Sequence, residues 1–142
     1  MTIETLPAVD ADRVTALTHE LRELLGDAAV SDEAAALDRA SIDGSEMSPV
    51  VKEQLPLGRA QLVVTPTTAE EIALAVGAAT RHGVPITPRG KGTGNYGQGI
   101  PLYGGLVIDT SKATRVLAVE DGWIHLPDGM LLATVRQTRL AG

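Results

Sequence analysis

The sequence predicts an α+β fold with an α/β-like centre, in which N-terminal helices precede a strand–helix–strand unit and a further strand. Three observations carry this expectation. Apolar residues recur at helical spacing from Val14 to Leu25. The short run Leu62-Val63-Val64 is followed by a capped helical pattern and a second extended run from Val84 to Thr87. A glycine-rich connection then leads into Leu106-Val107-Ile108-Asp109, a strong strand signal.

In order along the chain, Asp10 is placed to cap a first helix whose apolar face is Val14, Leu17, Leu21, Leu24 and Leu25, with Gly26 as its stop. A weaker helix is expected from Ser31 to about Ala40, followed by a loop through Asp43, Gly44, Ser45 and Pro49. His19 falls on the polar side of the first helix, with no partner at metal or acid/base spacing, and reads as solvated. After the strand Leu62–Val64 and Thr65-Pro66, Thr67 and Glu70 form a capping-box pair. The helix that follows turns Ile72, Ala75, Val76 and Ala79 inward and ends on Arg81 and His82, with Gly83 as a left-handed cap. His82 is therefore read as a helix-end residue. Strand, helix and strand predict a right-handed parallel crossover. Further strands are expected at Leu106–Asp109, Val116–Val119 and Trp123–Leu126, and helical periodicity at Leu131–Leu140.

Composition narrows the function classes. With 142 residues, 44% hydrophobic and 21% charged, the chain is sized for one globular domain. It has no cysteine, which excludes disulfides and thiolate chemistry, and a reducing compartment is expected. No run approaches the roughly 18 residues of a membrane helix and no secretory leader is visible, so a cytoplasmic protein without a membrane span is expected. One Trp, two Tyr and no Phe argue against a nucleic-acid binder that stacks bases on rings. Met1 to Val50 hold 11 acidic and 3 basic side chains, whereas Val51 to Gly142 hold 7 and 9, so an anionic ligand favours the second part.

The segment Pro88-Arg89-Gly90-Lys91-Gly92-Thr93-Gly94-Asn95-Tyr96-Gly97-Gln98-Gly99-Ile100-Pro101 carries the chemistry. Glycines allow backbone N–H groups to converge on an anion, and Arg89 and Lys91 add charge, so a diphosphate is the expected guest. The alternative is a flexible surface loop, against which stands the density of glycine straight after a strand. Gly92, Gly94 and Gly97 satisfy G-x-G-x-x-G, but a strand follows where the dinucleotide fingerprint needs a helix. Walker A fails because Gly92 follows Gly90-Lys91 in place of Ser or Thr. A strand–loop–strand phosphate cradle remains.

From about Leu37 onward these elements resemble the flavoproteins with a vanillyl-alcohol-oxidase or p-cresol-methylhydroxylase type FAD-binding domain. The branch they resemble contains the glycolate oxidase FAD subunit and the D-lactate dehydrogenases. The resemblance rests on Asp43-Gly44-Ser45, Val64-Thr65-Pro66, the helix from Thr68, Val84-Pro85-Ile86-Thr87-Pro88-Arg89-Gly90-x-Gly92-Thr93-Gly94, and Gly105–Asp109. It implies that the Arg89–Gly97 loop wraps the FAD pyrophosphate with backbone N–H groups, with hydrogen bonds from Thr93 and Asn95 and a reach from Gln98. Lys91 either places a charge by the diphosphate or is simply solvated. Relatives that tether FAD covalently carry a histidine at the place of Thr93, so FAD is expected to be non-covalent.

The resemblance also implies residues 1–58 as a helical N-terminal extension and loop, and 59–142 as the first, incomplete lobe of the FAD-binding domain. The second FAD lobe and the substrate domain of such relatives have no counterpart in 142 residues. His125, expected in a strand, and Asp109, expected in a turn, are weak acid/base candidates, and Pro127 interrupts a place where relatives continue a strand. The expected function is the FAD-binding part of an oxidoreductase acting on a 2-hydroxy acid, with no catalytic residue assigned, no metal, and a homodimer partner or a separately encoded remainder. The alternative is a stand-alone nucleotide-diphosphate-binding or interaction module without catalytic activity.

Overall fold

The structure, a computed structural model, describes residues 9–45, 48, 50, 58–120, 123–125 and 131–134. Its first element is α1 (Ala11–Leu25), begun by Asp10, whose carboxylate accepts from the Asp12 N–H at 3.0 Å, and closed at Gly26. A single 3-10 turn leads into β1 (Val30–Ser31), then α2 (Ala34–Ala40). β2 (Leu62–Val64), α3 (Ala69–His82), β3 (Ile86–Arg89) and β4 (Leu106–Asp109) complete the central unit. β5 (Ala118–Glu120), β6 (Trp123–His125) and β7 (Leu131–Thr134) form a separate antiparallel sheet in that order.

The main sheet has the order β1-β2-β4-β3. β2 and β3 both run parallel to β4, and β1 lies antiparallel on the outer side of β2, with Val30 opposite Val64. Side chains alternate between the two faces, as the strand period requires. Leu62, Val64, Leu106 and Ile108 pack with Val14, Leu17 and Leu21 of α1 and Ala75, Ala78 and Ala79 of α3. Val63 and Val107 face the other way, against Leu37 and Ala40 of α2. The two central strands are thus buried on both sides, which is why they read as unbroken apolar runs. Pro88 is tolerated in β3 because that strand is the sheet edge.

Several boundaries differ from the sequence expectation. Ser31 belongs to β1, so α2 begins at Ala34. The helix cap is Thr68 with Glu71, one residue beyond Thr67 and Glu70: the Thr68 hydroxyl accepts from the Glu71 N–H at 3.1 Å, and Glu71 accepts from the Thr67 N–H at 2.6 Å. With that start, Ala75, Ala78 and Ala79 turn inward and Val76 is left exposed. β3 lies two residues later than Val84–Thr87, and β5 likewise begins two residues after Val116. Leu131–Thr134 is a strand instead of the start of a helix, because it pairs with β6, Leu131 opposite His125. Residues 126–130, with Pro127, and 135–140 lie outside the described residues. Among the described residues no helix is long and apolar enough to cross a membrane.

Polar contacts join α1 to α3 along their outer edges. Glu20 forms an ion pair with Arg81, and His82 Nε2 lies 2.7 Å from the other Glu20 oxygen. His82 therefore has the helix-end role read from its position. His19 is exposed beside Glu23 at 3.5 Å.

Candidate functional site

The three parallel strands end together at Val64, Asp109 and Arg89, and open parallel sheets bind ligands outside such carboxyl ends. From Arg89 the chain runs through residues 90–105 before it returns as the central strand. Its return depends on Gly105 (φ 77°): the Gly105 carbonyl accepts from the Gln61 and Leu62 N–H groups, and the Leu106 N–H donates to Pro85 O at 2.9 Å. A Cβ on Gly105 would press into the Pro85 carbonyl. Gln61 Oε1 also accepts from the Gly105 N–H at 2.9 Å.

The glycine loop is tied down internally and from outside. Gln98 folds back onto it, accepting from the Tyr96 N–H at 3.1 Å, and its amide occupies the space that a Cβ on Gly94 would need. The Ile100 N–H donates to Gly97 O at 3.1 Å. From outside, Asp43 Oδ2 accepts from the Gly99 N–H at 3.3 Å while Oδ1 accepts from the Ser45 N–H at 2.9 Å. Burial alone would raise the Asp43 carboxyl, but hydrogen bonds from Ser45 and Gly99 and the Arg89 charge outweigh it and hold its pKa below the ordinary value.

Arg89 reaches from the end of β3 across to α2. Its Nη1 donates to the Arg39 and Ile42 carbonyls at 3.1 and 2.9 Å, in and just after the last turn of α2, where a cation is favourable. Its Nε is buried with no hydrogen-bond partner among the described residues. Gly92 (φ 70°) lies against this guanidinium, where any side chain would collide. Thr110 Oγ1 donates to the Arg89 carbonyl at 3.3 Å.

What the loop offers a ligand is backbone. Among the described residues, nothing accepts from the N–H groups of residues 91–95. Lys91, Thr93 and Asn95 are exposed, and Gly90 has open space around it. A cleft of about 520 Å³ is lined by Arg39, Ile42, Asp43, Gly44, Arg89, Lys91, Gly92 and Thr93. A neighbouring cleft of about 430 Å³ crosses the strand ends from Thr65 to Lys112 and shares Arg39, Arg89 and Lys91. A row of unclaimed amides beside several cations is a donor set that fits a diphosphate.

The structure thus brings together Pro88 and Arg89 at the end of β3 with Gly90, Lys91, Gly92, Thr93, Gly94, Asn95, Gly97 and Gln98 in one loop. Asp109 spends its carboxylate on the Ser111 N–H at 2.9 Å, as expected of a turn residue, and His125 lies in β6. Sequence reasoning took Asp43 and Gly44 as loop residues and as part of the resemblance, without a contact to the glycine loop. Their partners, Gly99 and the Thr93–Asn95 stretch, are more than 45 residues away, and no local spacing reveals such a contact. Among the described residues no group of His, Cys, Asp or Glu could hold a metal ion.

Comparison with known proteins agrees with this geometry. The chain is 44% identical over 55 residues to an uncharacterised FAD-linked oxidoreductase of Mycobacterium tuberculosis (strain H37Rv), a match covering 39% of this chain and 12% of that protein. It is 30% identical over 81 residues to a D-lactate dehydrogenase of Anaerostipes hadrus, covering 56% of this chain and 17% of the relative. A glycolate oxidase subunit of Bacillus subtilis (strain 168) is 34% identical over 59 residues, covering 42% and 13%. The match to each relative therefore spans less than a fifth of that relative's length. Among solved structures, substrate-bound p-cresol methylhydroxylase superposes with a TM-score of 0.65 at 21% identity, covering 84% of this chain and 23% of that one. That likeness is one of fold. Residues 60–138 match the family described as FAD binding domain, with FAD as its ligand, and the chain belongs to that family.

Proposed function

We propose that this chain is the diphosphate-holding lobe of a flavin-dependent oxidoreductase acting on a 2-hydroxy acid, with residues 59–142 as the first lobe of the FAD-binding domain and 1–58 as its helical extension. The observation that carries the proposal is the row of unclaimed N–H groups at residues 91–95, beside Lys91 and at the carboxyl ends of parallel strands. Gly90, Gly92, Gly94 and Gly97 let that backbone approach the pyrophosphate, Thr93 and Asn95 add side-chain donors, and Gln98 braces the loop from within. Pro88 and Arg89 hold the end of β3 from which it starts. FAD, when bound, supplies the hydride acceptor, and the protein supplies position and electrostatics. The substrate class is supported by the names of two relatives, a D-lactate dehydrogenase and a glycolate oxidase subunit. Threonine at position 93 lacks the imidazole nitrogen through which a histidine there would tether the flavin, so FAD is held non-covalently. Completion by a second copy or a separately encoded remainder, and a cytoplasmic site of action, belong to the same proposal.

Calorimetric titration with FAD, ADP and riboflavin tests it. FAD and ADP should bind and riboflavin, which lacks the diphosphate, should not. An FAD affinity well above that for ADP favours a flavin site, and equal affinities favour a plain diphosphate module. No heat and no rise in melting temperature with either nucleotide refutes the proposal.

A further inference from the structure

We infer that residues 39–45 form a clamp that sets the conformation of the diphosphate loop, with Asp43 and Arg89 as positioning residues instead of phosphate ligands. The inference rests on the diphosphate reading of the loop given above. Both ends of the loop are fastened to this one short segment. At the near end, Arg89 reaches back to the Arg39 and Ile42 carbonyls, and at the far end the Gly99 N–H meets the Asp43 carboxylate. Between them Gly44 lies under the middle of the loop: the Thr93 and Gly94 carbonyl oxygens stand 3.4 and 3.2 Å from where its Cβ would be.

That contact fixes which way the amides point. The described peptide bonds are trans, and across a planar trans peptide the C=O and N–H point oppositely. With the Thr93 and Gly94 carbonyls turned onto Gly44, the N–H groups of Gly94 and Asn95 face away from the clamp, toward the open side. A glycine-rich loop without such support would have to be ordered by its ligand, at a cost in affinity. Charge agrees with the assignment. A carboxylate would repel a diphosphate if it were a ligand, whereas Asp43 is already committed to two N–H groups and to the Arg89 charge. The Arg89 guanidinium likewise has its Nη1 committed to the Arg39 and Ile42 carbonyls and lies against Gly92.

The test combines amide hydrogen exchange with calorimetry of ADP and FAD, on the 142-residue chain and its Asp43→Ala, Asp43→Asn and Lys91→Ala variants. Asp43→Ala should speed exchange at the hydrogen-bonded Tyr96, Gly99 and Ile100 amides of the loop and weaken both nucleotides about tenfold, the scale of one charge-assisted hydrogen bond. Asp43→Asn, which keeps one acceptor oxygen, should recover part of both effects. Lys91→Ala should weaken binding and leave exchange unchanged. Loss of affinity in Asp43→Ala without faster loop exchange overturns the inference, since Asp43 would then act on the ligand itself. So does a variant that matches wild type in both readouts. If wild type binds neither nucleotide, the diphosphate reading fails on its own, and the exchange comparison still decides whether the clamp orders the loop.

Discussion

The glycines of this chain are not equivalent, and exchanging two of them for alanine separates those that the fold requires from those left open for a ligand. Gly105 has φ 77° and its Cβ would press into the Pro85 carbonyl, whereas Gly90 has an ordinary φ and nothing within 4 Å. Holding alanine in the left-handed region costs about 1–2 kcal/mol. The Pro85 carbonyl must also shift, which weakens the 2.9 Å bond from the Leu106 N–H, a further loss of about 1 kcal/mol. Because Leu106, Val107 and Ile108 are buried in the central strand, that shift cannot be absorbed at the surface. Gly105→Ala should therefore destabilise the chain by roughly 2–3 kcal/mol. Gly90→Ala should change stability by less than about 0.5 kcal/mol, with a slight gain allowed from the restricted unfolded chain. Urea denaturation followed by far-ultraviolet circular dichroism measures both. Equal midpoints for the two variants would refute the assignment of Gly105 as the residue that feeds β4 between its neighbours.

Other expectations follow from the core, the helix pair and the loop. Leu17→Ala, at a fully buried position between α1 and the sheet, should cost about 2–5 kcal/mol in the same denaturation assay. Hydrogen bonds from Arg81 and then His82 hold the Glu20 carboxyl below its ordinary value. Its contribution to stability is present above the unfolded glutamate pKa of about 4.3 and is lost as pH falls through the lower folded value. The melting temperature of wild type should exceed that of Glu20→Gln at pH 6, and the gap should close as pH approaches 3; a gap that does not vary with pH would count against the contact. Acid precipitation of FAD-loaded protein should leave all the yellow colour in the supernatant, and colour in the pellet would show a covalent bond.

Parts of the fold were legible because local chemistry and tertiary demand agree. Leu106–Ile108 is an apolar run, β-branched at Val107 and Ile108, that helices bury on both faces, and Asp10 and Gly26 bracket α1 where cap chemistry puts them. The start of α3 was ambiguous by one residue because Thr67–Glu70 and Thr68–Glu71 both have capping-box spacing. Its inward face was equally hard to read: residues 72–79 are all apolar or glycine, which erases the helical period, and only packing against Leu17 and Leu106 picks Ala78 over Val76. Leu131–Thr134 carries no period long enough to separate strand from helix, and its pairing with β6 decides it. In the site, glycine density after a strand announced a loop whose backbone is left open between β3 and β4. Nothing local announced that Asp43 reaches Gly99 or that Arg89 turns toward α2, because both contacts bridge distant stretches of chain.

The strand order also has a kinetic side. β4 comes last of the three parallel strands in the chain but lies between the other two, so β2 and β3 have no parallel neighbour until residues 90–105 have looped back. Closing that loop is therefore an obligatory step in assembling the sheet, and non-local closures of this kind set folding speed. The glycine-rich segment that forms the ordered loop in the finished protein is also the one whose freedom in the unfolded chain lets the central strand arrive, so substitutions that stiffen it are expected to slow refolding even where the finished protein tolerates them.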